Sequence, residues 1–217
     1  VLTGAMRSAA QAGADGPANL LDAGRVALAQ CSRGRGAQVV INGQIHRASA
    51  VRKVDSMALH AFASPVTGPA GVLMEGVVHY LQPPVARQIL PLPQNTHQTI
   101  ALLEASLSAD SLLLENVIEL GYDGLVIAGF GAGHVSAHWA KVIENIARQI
   151  PVIIATRTGC GSTARSTYGF EGSEIDLQRK GALMAGFTCP RKARILLWLL
   201  VGCRQQEHLA SYLDQTG

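Results

Sequence analysis

Charged side chains are scarce in this sequence: Asp, Glu, Lys and Arg together make up 15% of 217 residues, and aromatic side chains only 5%. With 48% hydrophobic residues beside so little charge, a disordered or solvating chain is excluded. Neither sign dominates, since 18 basic against 15 acidic residues leave a formal net charge of +3. That excess is too small and too dispersed to imply nucleic acid by electrostatics, and the tightest basic cluster, Arg33-Gly34-Arg35, reads as a solvated loop. Long hydrophobic runs are missing as well. The longest near the C-terminus, Ile195 to Cys203, falls far short of the ~20 residues of a membrane-spanning helix. Cysteine is confined to Cys31, Cys160, Cys189 and Cys203, with no Cys-x-x-Cys pair. Such spacing indicates neither a zinc site nor a disulfide framework, so reduced thiols and a cytoplasmic location are expected. Glycine, by contrast, is abundant at 23, but without a three-residue period or a low-complexity run, which excludes collagen-like and linker readings.

A chain of this length holds one large or two small domains and can bury a sizeable core unaided. Val1–Thr3 reads as the end of a buried strand stopped by Gly4, with more of the sheet expected upstream. Asp15-Gly16-Pro17 is a helix-start signal, Asp as cap and Pro in the first turn. That helix is predicted to reach about Gln30, with Leu20, Leu21, Ala27 and Leu28 on its buried face. Gln38–Ile41 is a predicted strand, Val51 to Phe62 a short amphipathic turn or helix, and Gly71–Met74 with Val77–Tyr80 a hairpin about Glu75-Gly76. Residues 82–94 carry Pro83, Pro84, Pro91 and Pro93, a stiff connector of the kind that links domains. Beyond it, strands at Thr99–Leu103, Gly124–Ala128 and Pro151–Ala155 alternate with helices at Asp110–Leu120, Ser136–Gln149 and Pro190–Val201. The alternation argues for parallel α/β layers in both halves.

Few motifs carry chemistry on their own. Gly129-Phe130-Gly131-Ala132-Gly133-His134 lies between a predicted strand and helix, as a dinucleotide loop does. Its spacing is G-x-G-x-G, however, and no acidic residue ends a strand about 20 residues on. Two readings stay open: glycines that let a ligand approach the backbone at the carboxyl end of a strand, or a tight turn alone. His134 and His138 stand four apart, as two metal ligands on one helix face do. Without a His-Glu-x-x-His pattern a polar helix start is preferred, and no metal site is assigned. No Gly-x-Ser-x-Gly elbow is present, which removes the serine-hydrolase reading. Gly159-Cys160-Gly161-Ser162 reads as a flexible loop, and Lys53, one of four lysines, reads by itself as a surface residue.

Combinations of segments say more. Thr3-Gly4-Ala5-Met6-Arg7 and Ala14-Asp15-Gly16-Pro17-Ala18-Asn19-Leu20 are followed by Val51-Arg52-Lys53, then by Phe62-x-Ser64 with Gly68-Pro69-x-Gly71. Gly121-Tyr122-Asp123-Gly124-Leu125-Val126 leads into the glycine loop, and Arg157-Thr158-Gly159 and Lys192-Ala193-Arg194-Ile195-Leu196-Leu197 close the series. In this order they resemble the bacterial-type L-asparaginases over essentially the whole chain. The resemblance implies a two-domain α/β fold: a flavodoxin-like N-terminal domain, here incomplete, over residues 1–82, a linker over 83–94, and a smaller parallel α/β domain over 95–217. It implies hydrolysis of L-asparagine to L-aspartate and ammonia through a threonine acyl-enzyme, backbone donors holding the oxyanion, with no metal or organic cofactor. It gives Ala5 the backbone carbonyl at the leaving amide, and Lys53 a place in a triad with a threonine and an aspartate. An ammonium beside a carboxylate there polarises the hydroxyl and eases its deprotonation. Glu174 matches the acid that a neighbouring subunit turns toward the substrate's α-amino group, which implies a homodimer or homotetramer. His134 falls where well-studied members carry an asparagine, and an imidazole can still donate a hydrogen bond there. The family's nucleophile lies in a Thr-Gly-Gly-Thr-Ile segment and its second catalytic threonine in a Thr-Asp-Thr segment. Neither occurs here and the chain has no Asp-Thr dipeptide, so the 217 residues alone are expected to be inactive. Two other readings stand beside this one: the amidase subunit of a tRNA-dependent amidotransferase, and a catalytically dead asparaginase-like binding module.

Overall fold

The structure, a computed structural model, describes residues 1–86 and 89–214. Arg87 and Gln88 of the proline-rich linker, and residues 215–217 of the expected second domain, lie outside the described residues. The chain forms two compact units, Val1–Gln88 and Ile89–Gly217. Both mix helices with sheet, as an α/β fold requires.

In the first unit, helix α1 (Gly16–Leu28) precedes the strands β1 (Gln38–Ile41), β2 (Gln44–Arg47), β3 (Arg52–Lys53), β4 (Phe62–Ala63), β5 (Gly71–Met74) and β6 (Val77–Tyr80). The expectation of parallel layers fails here. The main sheet runs β1-β2-β5-β6 with every neighbouring pair antiparallel. For β1–β2 and β5–β6 the cause is connection length: two-residue turns at Asn42-Gly43 and Glu75-Gly76 leave no room for a crossover helix. Asn42 and Glu75 both take φ of 51°, followed by a left-handed glycine, the backbone such hairpin turns need. Among the described residues of this unit, parallel pairing is limited to a bridge between Leu2 and Val39, and Val1 and Leu2 are half exposed rather than buried. The predicted turn or helix over 51–62 is instead a small antiparallel pair, β3 with β4.

Helix α1 starts where expected but turns a different face inward. Asn19, Ala23 and Val26 are buried, and Ala23 and Val26 pack with Val40 and Ile45. Leu20, Leu21 and Leu28 are 68%, 56% and 88% exposed. Asn19 sets this rotation, because its side chain bonds Gly4 O, Asp15 Oδ2 and the amide of Asn42, and the residues on its own stripe follow it in.

The second unit is a parallel sheet in the order β10-β9-β8-β7, formed by β7 (Ile100–Glu104), β8 (Gly124–Gly129), β9 (Val152–Thr156) and β10 (Leu183–Met184). Strands β8 and β9 are buried along their whole length, as near-continuous apolar runs covered on both faces must be. One face is covered by α3 (Ala137–Ala147), whose Trp139, Ala140, Ile143 and Ile146 recur at helical spacing, with Leu114 of α2 (Leu112–Glu115) and Leu177 of α4 (Glu174–Arg179). The other is covered by Ala193, Leu197 and Leu200 of α5 (Pro190–Gly202), and by Leu209 and Leu213 of α6 (Leu209–Asp214). Full burial of one such leucine contributes about 1.5–3 kcal/mol. Each tryptophan belongs to one of these layers. Trp139 Nε1 donates to Asp110 O at 3.1 Å, and Trp198 of α5 donates to Gln98 O at 3.1 Å. Helix α2 is shorter than predicted: it stops at Glu115, where the Asn116 side chain donates to Leu112 O at 2.7 Å.

Candidate functional site

Ala5 lies in an exposed segment whose flanking peptides are held from α1. Asp15 occupies the N-cap position of that helix but makes no cap bond with its side chain. Its carboxylate instead accepts the amides of Met6 at 3.0 Å and Arg7 at 2.9 Å, which keep its pKa below the usual value. Asn19 Nδ2 donates to Gly4 O at 2.9 Å, and Thr3 Oγ1 to Val40 O at 2.6 Å. The peptides on both sides of Ala5 are therefore fixed by side chains. The spacing of Asp15 and Asn19 is i, i+4, one helical turn, which puts both on the face of α1 that meets this segment.

Lys53, on β3, is exposed, opposite Phe62 in register, with Nζ 5.9 Å from the Phe62 ring centroid. The following segment is closed by Val54 N donating to Ala61 O at 2.7 Å and by Asp55, which accepts the amides of Met57 and Ala58. In the same unit His46 is fully buried on β2, its Nδ1 2.9 Å from Ser64 Oγ, and its Nε2 has no partner among the described residues. Burial lowers its pKa below 6.5. Sequence reasoning passes over His46, because nothing in its neighbourhood distinguishes an inward from an outward histidine.

His134 and Glu174 come together in the second unit. Glu174 is expected in a loose polar loop, yet it is the first residue of α4 and wholly buried. Its Oε2 lies 2.9 Å from His134 Nε2, and Oε1 accepts the amides of Thr167 at 2.6 Å and Tyr168 at 2.5 Å. Burial alone raises a carboxyl pKa; here the Tyr168 amide, the other backbone amides and the imidazole outweigh it, so Glu174 stays below its ordinary value. The approach to α4 is set by Gly172, at φ of 89°, whose carbonyl accepts from Val135 N at 2.9 Å. A Cβ at Gly172 would stand 2.3 Å from Val135 O, so no other residue fits. Tyr168 and Phe170 meet the His134 ring edge-on, both with centroids at 5.2 Å, and are themselves about half exposed.

The other motifs resolve as structure. Within the glycine loop, Phe130 N donates to His134 O, and Gly133 N and His134 N to Phe130 O, so those amides close the loop on itself as in a tight turn. His138 does not join His134: its Nε2 meets Ser111 Oγ at 2.7 Å, on the side of α2. Among the described residues no group of three or more His, Cys, Asp or Glu is arranged to hold a metal ion. No helix among them is long and apolar enough to cross a membrane.

Comparison with known proteins covers both units. The family model described as "Asparaginase, N-terminal" matches residues 1–86, and that described as "Glutaminase/Asparaginase C-terminal domain" matches residues 99–210. The chain is 37% identical over 205 residues to a probable L-asparaginase of Deinococcus radiodurans, an alignment covering 93% of this chain and 62% of that protein. It is 33% identical over 205 residues to a probable periplasmic L-asparaginase of Haemophilus influenzae, covering 92% and 57%. To L-asparaginase 2 of Escherichia coli it is 28% identical over 205 residues, again covering 92% and 57%. The chain thus spans 57–62% of the length of these relatives.

Proposed function

We propose, from the premise that this chain belongs to the glutaminase/asparaginase family, that it is part of an amidohydrolase releasing ammonia from L-asparagine. The observation that carries this reading is the ordered match of both family domains, over residues 1–86 and 99–210 of one chain. The names of the relatives, L-asparaginase in each case, support the choice of substrate.

In the proposed reaction a threonine hydroxyl attacks the side-chain amide, ammonia leaves, and water hydrolyses the acyl-enzyme. Lys53 assists deprotonation of a second threonine, and the Ala5 carbonyl meets the leaving amide. Fixing the peptides around Ala5 by Asp15 and Asn19 suits that task, because an acceptor held in place needs no reorganisation as the nitrogen departs. The two threonines belong to segments that this chain's residues do not match, so it contributes the lysine and the acceptor but not the nucleophile. Assembly as a homodimer or homotetramer belongs to the same proposal, with His134 and Glu174 of one copy serving the α-amino group bound by its neighbour. Glu174 is buried within its own unit, so in this proposal its charge acts through His134, 2.9 Å away, and the neighbour meets the surface formed by Tyr168 and Phe170.

The test is ammonia release from L-asparagine by the chain joined to the two threonine segments, with Lys53 in place and as Lys53→Met. The variant is expected to lose about 10²–10⁴ in kcat with substrate binding retained, the range for a positioned proton-transfer group. Undiminished kcat in Lys53→Met would defeat the assignment.

A further inference from the structure

The glycine loop between β8 and α3 is gripped from outside at each residue from Gly129 to Ala132, always by the end of β9 or the segment after it. Arg157 N donates to Gly129 O at 3.0 Å, and the Arg157 guanidinium lies 4.2 Å from the centroid of the Phe130 ring. Thr156 Oγ1 donates to Gly131 O at 2.5 Å, and Ala164 N to Ala132 O at 2.9 Å. The guanidinium is itself anchored, its Nη1 donating at 2.8 Å to Ala105 O, just beyond β7. Outside support matters here because glycine loses more backbone freedom on ordering than any other residue. Gly129 and Gly133 are also pinned by packing, since a Cβ would stand 2.7 Å from Gly133 C in the first case and 3.0 Å from Met184 Cε in the second. Gly131, at the tip, has nothing within 4 Å of where its Cβ would stand, so its carbonyl is the handle by which β9 holds it. From the tip the chain folds back, His134 N donating to Phe130 O at 2.9 Å, and the imidazole emerges 2.9 Å from Glu174 Oε2. An unbroken line of contacts therefore runs from Ala105 through Arg157, Phe130 and His134 to Glu174, at the carboxyl ends of β7, β8 and β9.

We propose that Thr156 and Arg157 are positioning residues for His134, holding the glycine loop so that the imidazole stays on Glu174 and aimed at the α-amino group of the substrate. The proposal rests on the reading of His134 and Glu174 given above. Both residues act through the loop. A contact to the α-amino group is made equally in the ground state and the transition state, so its loss falls on KM and spares kcat.

The decisive pair of variants is Thr156→Val, which keeps the shape of this buried side chain without its hydroxyl, and Thr156→Ser, which keeps the hydroxyl. Arg157→Met, at an exposed position, keeps an unbranched stem against Phe130 without the charge. In the chain joined to the two threonine segments, Thr156→Val and Arg157→Met should each raise KM for L-asparagine about tenfold, the worth of one lost hydrogen bond, with kcat unchanged. Thr156→Ser should restore KM. Succinamic acid, which is asparagine without its α-amino group, should be turned over equally by all three variants and by His134→Ala. In a His134→Ala background Thr156→Val should have no further effect on L-asparagine, as expected for residues acting as one unit. A second readout needs no turnover. The His134 ring signals, displaced by the edge-on rings of Tyr168 and Phe170, should move in the NMR spectrum of Thr156→Val and return in Thr156→Ser. An equal rise in KM for L-asparagine and succinamic acid, or His134 signals indifferent to Thr156, would overturn the proposal. A His134→Ala variant that still prefers L-asparagine over succinamic acid would overturn it together with the reading beneath it. In that case His134 signals that still follow Thr156 would locate the failure in the function rather than in the loop.

Discussion

Asn19 joins three parts of the first unit with one side chain: the Gly4 carbonyl, the Asp15 carboxylate and the Asn42 amide. Replacing it by alanine removes this partner from the Gly4 carbonyl and the Asn42 amide at a position 3% exposed, while Asp15 keeps the Met6 and Arg7 amides. Asn19→Ala is therefore expected to cost about 2–3 kcal/mol, read as a lower urea midpoint. His46 makes a different prediction, in pH. Its folded-state pKa lies below 6.5 because burial disfavours the cation, so the unfolded chain takes up a proton that the folded one resists. Its contribution to stability is complete above pH 6.5 and is lost as the pH falls through the lower folded value. His46→Gln, which keeps a polar partner for Ser64, should flatten the stability curve below pH 6.5. A curve that keeps its slope in that window would show that other groups govern it.

Elements differed in how plainly the sequence announced them. Strands β8 and β9 are unbroken apolar runs, and α3 opens on Ser136, whose hydroxyl accepts the Trp139 amide, so both kinds could be located from residue order alone. The buried face of α1 could not, because three exposed leucines outweigh one asparagine in any hydrophobic pattern, and the deciding bonds run to Gly4 and Asn42, 15 and 23 positions away. Strand direction in the first unit is hidden for a related reason: helix–strand alternation suggests parallel layers, whereas the Asn42-Gly43 turn sets an antiparallel pair. Helix α4 leaves little trace in the hydrophobic pattern, because its six residues are held by Glu174 and Asp176, charged side chains ordinarily found in solvent. The turn before it offers a test. Gly172→Ala would drive a methyl group into Val135 O in a backbone conformation unfavourable to alanine, and should cost about 2–3 kcal/mol. Loss of the Glu174–His134 contact, followed through the His134 ring signals by NMR, should accompany it.

For the whole molecule, Lys53, Ala5, His134 and Glu174 came from the order of matched segments, not from the chemistry of any single residue. What that order could not supply was the support beneath them: Asp15 and Asn19 under Ala5, and the Thr167 and Tyr168 amides under Glu174. Backbone donors leave no trace in residue type, which is why these partners stay hidden in a sequence. The proposed assembly is checked by sedimentation velocity on catalytically active protein, with a dimer or tetramer expected; an active monomer at all concentrations would remove the role given to Glu174 across subunits.

Trp139 and Trp198 lie on opposite faces of the parallel sheet, and residues 1–88 contain no tryptophan at all. Intrinsic fluorescence excited at the indole band is consequently a private signal of the second unit. Melting of the antiparallel sheet should register in far-ultraviolet dichroism, and in the phenol absorbance of Tyr80, while indole emission stays constant. Followed together through one denaturation, the two optical signals would report whether this chain comes apart in one step or two.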